Sequence, residues 1–239
     1  MSASGPHILV TGSTRGIGGA IAGVLRGRGA RVVGHGRATT GDILGEDLEA
    51  PGAGGRLWDR ALERLDGRID VLVNNAGVFE PAGVDLAEAD WEAAWSRTLQ
   101  INLRAAADLS RLAVRHFLDR PGGGRIVNVA SRAAYRGDSP AHWHYAASKA
   151  GMVAMTKSIA RGFAARDVLA FAVCPGFTMT GMADDYLASR GGEKLLADIP
   201  LGRVADPEEV AVAVAFLALE APASMTGAVL DINGASYVR

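Results

Sequence analysis

Tyr145 and Lys149 stand in the run Tyr145-Ala146-Ala147-Ser148-Lys149, a spacing that puts both side chains on one face of a helix. A free phenol has a pKa of about 10 and is a poor base at neutral pH. An ammonium beside it favours the phenolate, and each tenfold gain in acidity takes about 1.4 kcal/mol of such preference. A tyrosine so placed can protonate a carbonyl oxygen as hydride arrives, or take the proton back in reverse. Ser131, just after an apolar run, could hold the same oxygen by a hydrogen bond. A Tyr and a Lys at this spacing also occur by chance, as an exposed ion–neutral pair.

A second cluster could bind phosphate. Thr11-Gly12-Ser13-Thr14-Arg15-Gly16-Ile17-Gly18 follows a short apolar run. Glycines there allow positive φ and close backbone approach, and the N–H groups of a following helix favour a pyrophosphate. The spacing is neither the G-x-G-x-x-G fingerprint nor a nucleotide-triphosphate loop. A free ribose 2′-hydroxyl usually meets an acid about 20 residues on, at the end of the second strand. That place holds Gly34-His35-Gly36-Arg37 instead. Arg37 can pair with a 2′-phosphate and Arg15 can reach the same group, so NADP(H) is the expected cofactor, with NAD(H) left open. Two solvated surface arginines are the plainer alternative.

These groups need elements to hold them. Apolar runs at residues 7–11, 30–33, 69–73, 125–129, 168–173 and 229–232 read as buried parallel strands. Helical patterns lie between them: one carries Ile17, Ile21, Val24 and Leu25 on a single face, and others cover roughly 85–118, 145–165 and 206–219. The last opens on Asp206-Pro207-Glu208-Glu209, an N-cap, a first-turn proline and acids against the dipole. Alternation along the whole length predicts an α/β fold, a parallel sheet covered on both faces, in a single domain over residues 1–239.

Composition narrows the function. Hydrophobic residues make up 49% and charged residues 21% of 239, as in a soluble globular protein rather than a disordered one. A formal net charge of -1 argues against nucleic acid or an anionic membrane as partner. The one cysteine, Cys174, lies in an apolar run and reads as a buried small hydrophobe, leaving no disulfide framework and no Cys-based zinc site. No metal site is expected. Met1 to Pro6 has no targeting signature, and the longest apolar run, 210–219, is too short to span a bilayer, so a cytoplasmic protein is expected.

Taken in order, Thr11-Gly12-x-x-x-Gly16-x-Gly18, Asn74-Asn75-Ala76-Gly77, Asn102, Ser131, Tyr145-x-x-x-Lys149 and Pro175-Gly176 followed by Thr180 resemble the short-chain dehydrogenase/reductase family. The match spans nearly the whole chain, and the ordered set is far more specific than any one member. The resemblance implies a Rossmann-type doubly wound sheet of about seven parallel strands. It implies that Tyr145 is proton donor and acceptor, that Lys149 tunes it and holds the nicotinamide ribose, and that Ser131 orients the substrate oxygen. Asn102 would hold a water in a proton relay; without the resemblance it would read as a solvent-facing residue of the long helix. Gly12, Ser13, Thr14, Arg15, Gly16, Ile17 and Gly18 would hold the phosphates, with Arg37 at the 2′-phosphate. Asn75, Ala76 and Gly77 would line the adenosine ribose, and Asp47 and Leu48 would meet adenine. Pro175, Gly176, Thr178 and Thr180 would approach the nicotinamide and phosphates. A small-molecule ketone or alcohol would be the substrate, and a homotetramer or dimer through the two long helices the assembly.

Two departures from the family carry expectations. If residues 43–48 hold the third strand, only 38–42 remain to reach it, whereas a parallel crossover ordinarily needs a dozen or more residues. The connecting helix should be missing or reduced to a turn. The segment between Ser131 and Tyr145 is one residue longer than the common spacing and contains His142-Trp143-His144. These rings either form a wall for a hydrophobic or ring-bearing substrate, or Trp143 packs inside while the histidines face solvent.

Substrate identity stays open among ketones. Look-alikes that reduce 3-oxoacyl groups on an acidic carrier protein are an alternative, for which Arg120, Arg125 and Arg166 are candidate docking residues. Enoyl reduction is disfavoured, because relatives doing it space the Tyr and Lys more widely. A non-catalytic NADP(H) sensor is the alternative of another class, though such proteins tend to lose Ser, Tyr or Lys. Residues 179–201 should form a lid over the pocket.

Overall fold

A computed structural model describes residues 5–179 and 196–239. Seven strands form one sheet: β1 (His7–Val10), β2 (Arg31–Gly36), β3 (Ile43–Gly45), β4 (Val71–Asn74), β5 (Gly124–Val129), β6 (Val168–Pro175) and β7 (Val229–Ile232). Their order is β3-β2-β1-β4-β5-β6-β7, every pair parallel. The helices are α1 (Gly16–Gly27), α2 (Ala53–Arg64), α3 (Glu88–Leu99), α4 (Ala105–Leu118), the short α5 (Ala133–Arg136), α6 (Trp143–Phe163) and α7 (Pro207–Leu219). The α/β sheet expected from alternation is therefore present. Among the described residues no helix is long and apolar enough to cross a membrane.

Successive strand residues feed opposite faces. Ile8 and Val10 join a core with Ile21 and Leu25 of α1 and Val210, Val214 and Leu217 of α7. Leu9 points the other way, to Leu57 and Trp58 of α2 and Leu109 and Phe117 of α4. Both faces are buried, so the strands read as continuous apolar runs. The expected start of α7 is a full capping box, with Pro207 in the first turn.

Helix α2 has no counterpart among the sequence expectations. Gly54 and Gly55 obscure a helix whose buried stripe is Leu57, Trp58 and Ala61. Gly54 is there because α4 approaches closely: a Cβ would sit 3.3 Å from Asp108 Cβ.

No helix joins β2 to β3. Residues 37–42 make an exposed turn closed by mutual Thr40–Ile43 backbone bonds of 3.0 and 2.8 Å. The dozen-residue rule is escaped because β3 is only three residues long and starts opposite Gly34, two residues back from the end of β2. The long helix also departs from regularity: between α3 and α4, Gln100–Arg104 form a π-helical turn containing Asn102.

Candidate active site

In a parallel sheet all strand ends of one kind lie along one edge, and the chain reverses direction of winding between β1 and β4. The two turns leaving these strands are laced together. Thr11 Oγ1 accepts from the N–H groups of Asn75 and Ala76, both at 3.0 Å. Asn75 Nδ2 donates to the carbonyls of Thr11 and Gly12, again at 3.0 Å each. Gly12 has φ +63°, and a Cβ on it would lie 2.7 Å from Ala76 Cα, so only glycine fits.

Arg15 is the N-cap of α1 and makes no capping bond; the first turn carries no acid. The helix therefore presents uncapped N–H groups and its positive end to whatever sits above Gly12–Gly18. Thr14, Arg15 and Arg37 are exposed, Ser13 is buried, and Ile17 packs into the core below. Neither Arg15 nor Arg37 makes an ion pair or side-chain hydrogen bond among the described residues, although most arginines around them are paired. An unacidic, uncapped helix end flanked by two unpaired cations fits a dinucleotide phosphate group.

On the adenine side, Leu48 is buried, and its carbonyl accepts from Gln100 Nε2 at 3.3 Å. Asp47 is exposed and caps the Glu49 N–H at 3.0 Å. Pro175 ends β6; the Gly176 N–H donates to Ile232 at 2.9 Å, and Thr178 is buried with its hydroxyl on the Gly176 carbonyl at 3.3 Å. Thr180, with most of the expected 179–201 lid, lies outside the described residues.

Ser131 follows β5, and Tyr145 and Lys149 share the face of α6 that packs over it. Lys149 is almost fully buried; its Nζ donates to the Val129 carbonyl at 2.9 Å and lies 5.8 Å from the centre of the Tyr145 ring. Burial strips water from both groups and favours their neutral forms. The phenol is pushed up to about 12, with the Ser131 hydroxyl opposing the rise. The same burial pushes the Lys149 ammonium down to about 8. In the free protein desolvation is therefore the larger effect and outweighs the ammonium's pull toward phenolate. Tyr145 is a phenol with its proton in place.

Asn102 is completely buried, which corrects the solvent-facing alternative. Its Oδ1 accepts from Val78 N at 2.8 Å, and its Nδ2 donates to the Val78 carbonyl at 3.0 Å and to Ser148 Oγ at 3.2 Å. The π-turn aims this amide inward, and a Cβ on Gly77 would fall 3.3 Å from Asn102 Oδ1 and 3.5 Å from Lys149 Nζ. Gly77 thus borders Asn102 and Lys149, while Ala76 before it packs against Gly12.

The histidine–tryptophan segment resolves into neither simple alternative. Trp143 is 51% exposed, while His144 is buried. His142 stacks on Phe79 at 3.9 Å, and Phe79 meets the Tyr145 ring edge-on at 4.8 Å. Phe79 is not among the residues that spacing singles out; its one signal is its position just beyond Gly77. Cys174 is wholly buried and its thiol is raised to about 11 by burial, in keeping with a small hydrophobe.

Arg120, Arg125 and Arg166 sit at the wrong edge for substrate docking. Arg125 lies near the start of β5, Arg120 pairs with Asp70 just before β4, and Arg166 precedes β6. All three are at the strand starts, whereas Ser131 and the glycine turn follow strand ends.

Residues 12–235 match the model of a family described as enoyl-(acyl carrier protein) reductase. The chain is 37% identical over 253 residues to the 3-oxoacyl-(acyl-carrier-protein) reductase of Vibrio cholerae, with 100% of each chain covered. It is 36% identical to the protein of that name from Thermotoga maritima, covering 98% of each. Nodulation protein G of Rhizobium meliloti is 38% identical, across 97% of this chain and 96% of that one. With the glycine turn at the winding reversal and the Tyr–Lys pair above β5, these matches place the chain in the short-chain dehydrogenase/reductase family, as an NAD(P)-dependent oxidoreductase acting on a ketone or its alcohol.

Proposed function

We propose that this protein reduces 3-oxoacyl thioesters carried by an acyl carrier protein, with NADPH as the preferred reductant. The observation that carries the reaction type is the half-buried Tyr145, its pKa raised by desolvation and flanked by Ser131 and Lys149. Full-length likeness to proteins named 3-oxoacyl-(acyl-carrier-protein) reductase supports the substrate class. The closely spaced Tyr145-x-x-x-Lys149 supports a keto rather than an enoyl substrate, although the matching family model bears the enoyl description.

The nicotinamide, when bound, supplies the hydride. Tyr145 hands its phenolic proton to the substrate oxygen, which Ser131 holds by a hydrogen bond. The resulting phenolate is stabilised by the Lys149 ammonium, whose depressed pKa lets it pass a proton on near neutrality. Asn102 positions Lys149's surroundings by fixing Val78 and Ser148. Gly12 through Gly18 hold the pyrophosphate, Arg15 and Arg37 the 2′-phosphate, and Asn75, Ala76 and Gly77 the ribose edge. Asp47 and Leu48 border the adenine, and Pro175, Gly176, Thr178 and Thr180 the nicotinamide side. Phe79 and His142 form an aromatic wall beside the reacting oxygen.

The test is nucleotide preference and turnover together. NADPH should be consumed with a 3-oxoacyl thioester and NADH much more slowly. Consumption with cyclic ketones but not thioesters would leave the reaction type standing and overturn the substrate.

A further inference from the structure

Every polar group of His35 is committed between the glycine turn and the end of β3. Its backbone carbonyl accepts from Ser13 N at 2.9 Å, and its backbone N–H donates to Ser13 Oγ at 2.9 Å. In the ring, Nδ1 lies 3.1 Å from the Gly12 nitrogen and Nε2 lies 2.9 Å from the Glu46 carbonyl. A backbone N–H can only donate and a carbonyl only accept, so these partners dictate the tautomer: Nδ1 bare, Nε2 protonated. His35 as a whole is 5% exposed, so water does not replace either bond.

We propose that His35 is a positioning residue for the cofactor: its ring, locked in the Nε2–H tautomer, braces the phosphate-binding turn at Gly12 against the adenine-side segment at Glu46. The proposal rests on the assignment of these two segments to the dinucleotide. The need for a brace follows from the short β2–β3 connection. A crossover helix there would pack against β2 and β3 and fix their spacing; here residues 37–42 are exposed. Beyond local turns at Asp47, few bonds tie residues 46–48 to other elements: Glu46 N to the Gly36 carbonyl at 2.9 Å, the Gln100 bond to Leu48, the two arginines on the Glu46 carboxylate, and the His35 ring. Only the ring also touches the glycine turn. Gly12 is held at φ +63° there, with its N–H directed at Nδ1.

Side-chain geometry separates the two halves of the brace. In His35→Asn the amide oxygen falls where Nδ1 was and can accept from Gly12. In His35→Gln the amide nitrogen reaches the Nε2 position and can donate to Glu46, leaving the Gly12 N–H unpaired. His35→Leu removes both. Dissociation constants for NADPH are measured by fluorescence titration on each variant, with circular dichroism to verify folding and ring-nitrogen NMR shifts to read the wild-type tautomer. Wild-type Nδ1 should be unprotonated. His35→Asn keeps only the Gly12 bond and His35→Gln only the Glu46 bond, so each severs the brace and should bind NADPH about tenfold more weakly than wild type. At saturating NADPH both should turn over at wild-type kcat. Should His35→Leu fail to fold, the Asn and Gln variants still decide. Wild-type NADPH affinity in either the Asn or the Gln variant, a protonated Nδ1, or a loss in kcat alone overturns the role of His35. Absence of NADPH and NADH binding in the wild type overturns the dinucleotide assignment itself, and the brace with it.

Discussion

Buried Lys149 and half-buried Tyr145 share a desolvated space that suits neither as an ion. Holding Tyr145 near 12 makes it a reliable proton donor, which fits the reductive direction better than the oxidative one. Lys149 bears a stability cost for its place: it titrates near 8 when folded and near 10.5 when free. The unfolded chain therefore binds more protons between those values, so this residue's contribution to stability rises with pH through that window and is least favourable below 8. Lys149→Met should be inactive yet more stable than wild type at pH 7 by up to about 3 kcal/mol, with the gap closing toward pH 10.5. Denaturant melts of both proteins from pH 7 to 10.5 measure it, and a constant gap would contradict the buried-charge account. The residue types of this site were legible from spacing. What spacing could not supply was the direction in which the Tyr145 pKa moves, because desolvation depends on packing from β5 and α6 that no single segment encodes.

At the scale of elements, the π-turn and the β2–β3 turn do the positioning. Asn102→Ala removes three hydrogen bonds made by a buried amide and leaves Val78 groups without their partner, so a loss of about 1–3 kcal/mol is expected in chemical denaturation, along with reduced turnover. The β2–β3 turn decides where nucleotide preference can be altered. A side chain at Gly36 would overlap the Thr14 methyl, so Gly36→Asp, which puts an acid at the end of β2, should weaken both nucleotides rather than switch between them. Arg37→Asp avoids the clash and should raise the KM for NADPH about tenfold or more while sparing NADH; steady-state kinetics with each nucleotide read the difference. The apolar strands and the missing crossover helix were readable from runs and from a simple count of connecting residues. Helix α2 was not, because its glycines serve contact with α4 rather than its own propensity. The His35 brace was also hidden, since a histidine inside a strand reads as a satisfied core residue until its four partners are known.

For the whole molecule, the proposed assembly through the long helices has a suitable face. Ala147, Ala154 and Ser158 are exposed small residues spaced along the outside of α6, where another helix can approach closely. Light scattering should give a dimer or tetramer of the 24.8 kDa chain, and Ala154→Arg should shift it toward smaller species. A wild-type monomer at micromolar concentration would contradict this arrangement. The proposed carrier protein would have to dock at the strand-end edge, where the exposed Arg136 pairs with Asp198, and not at Arg120, Arg125 or Arg166.

The most direct measurement is single-turnover oxidation of NADPH by a 3-oxoacyl thioester, in wild type and in Tyr145→Phe, with NADPH affinity determined for both. The account predicts rapid oxidation by wild type, a loss of about a thousandfold in Tyr145→Phe, and nearly equal NADPH affinity. Equal rates in the two proteins, or no oxidation by a wild type that binds NADPH, would contradict it.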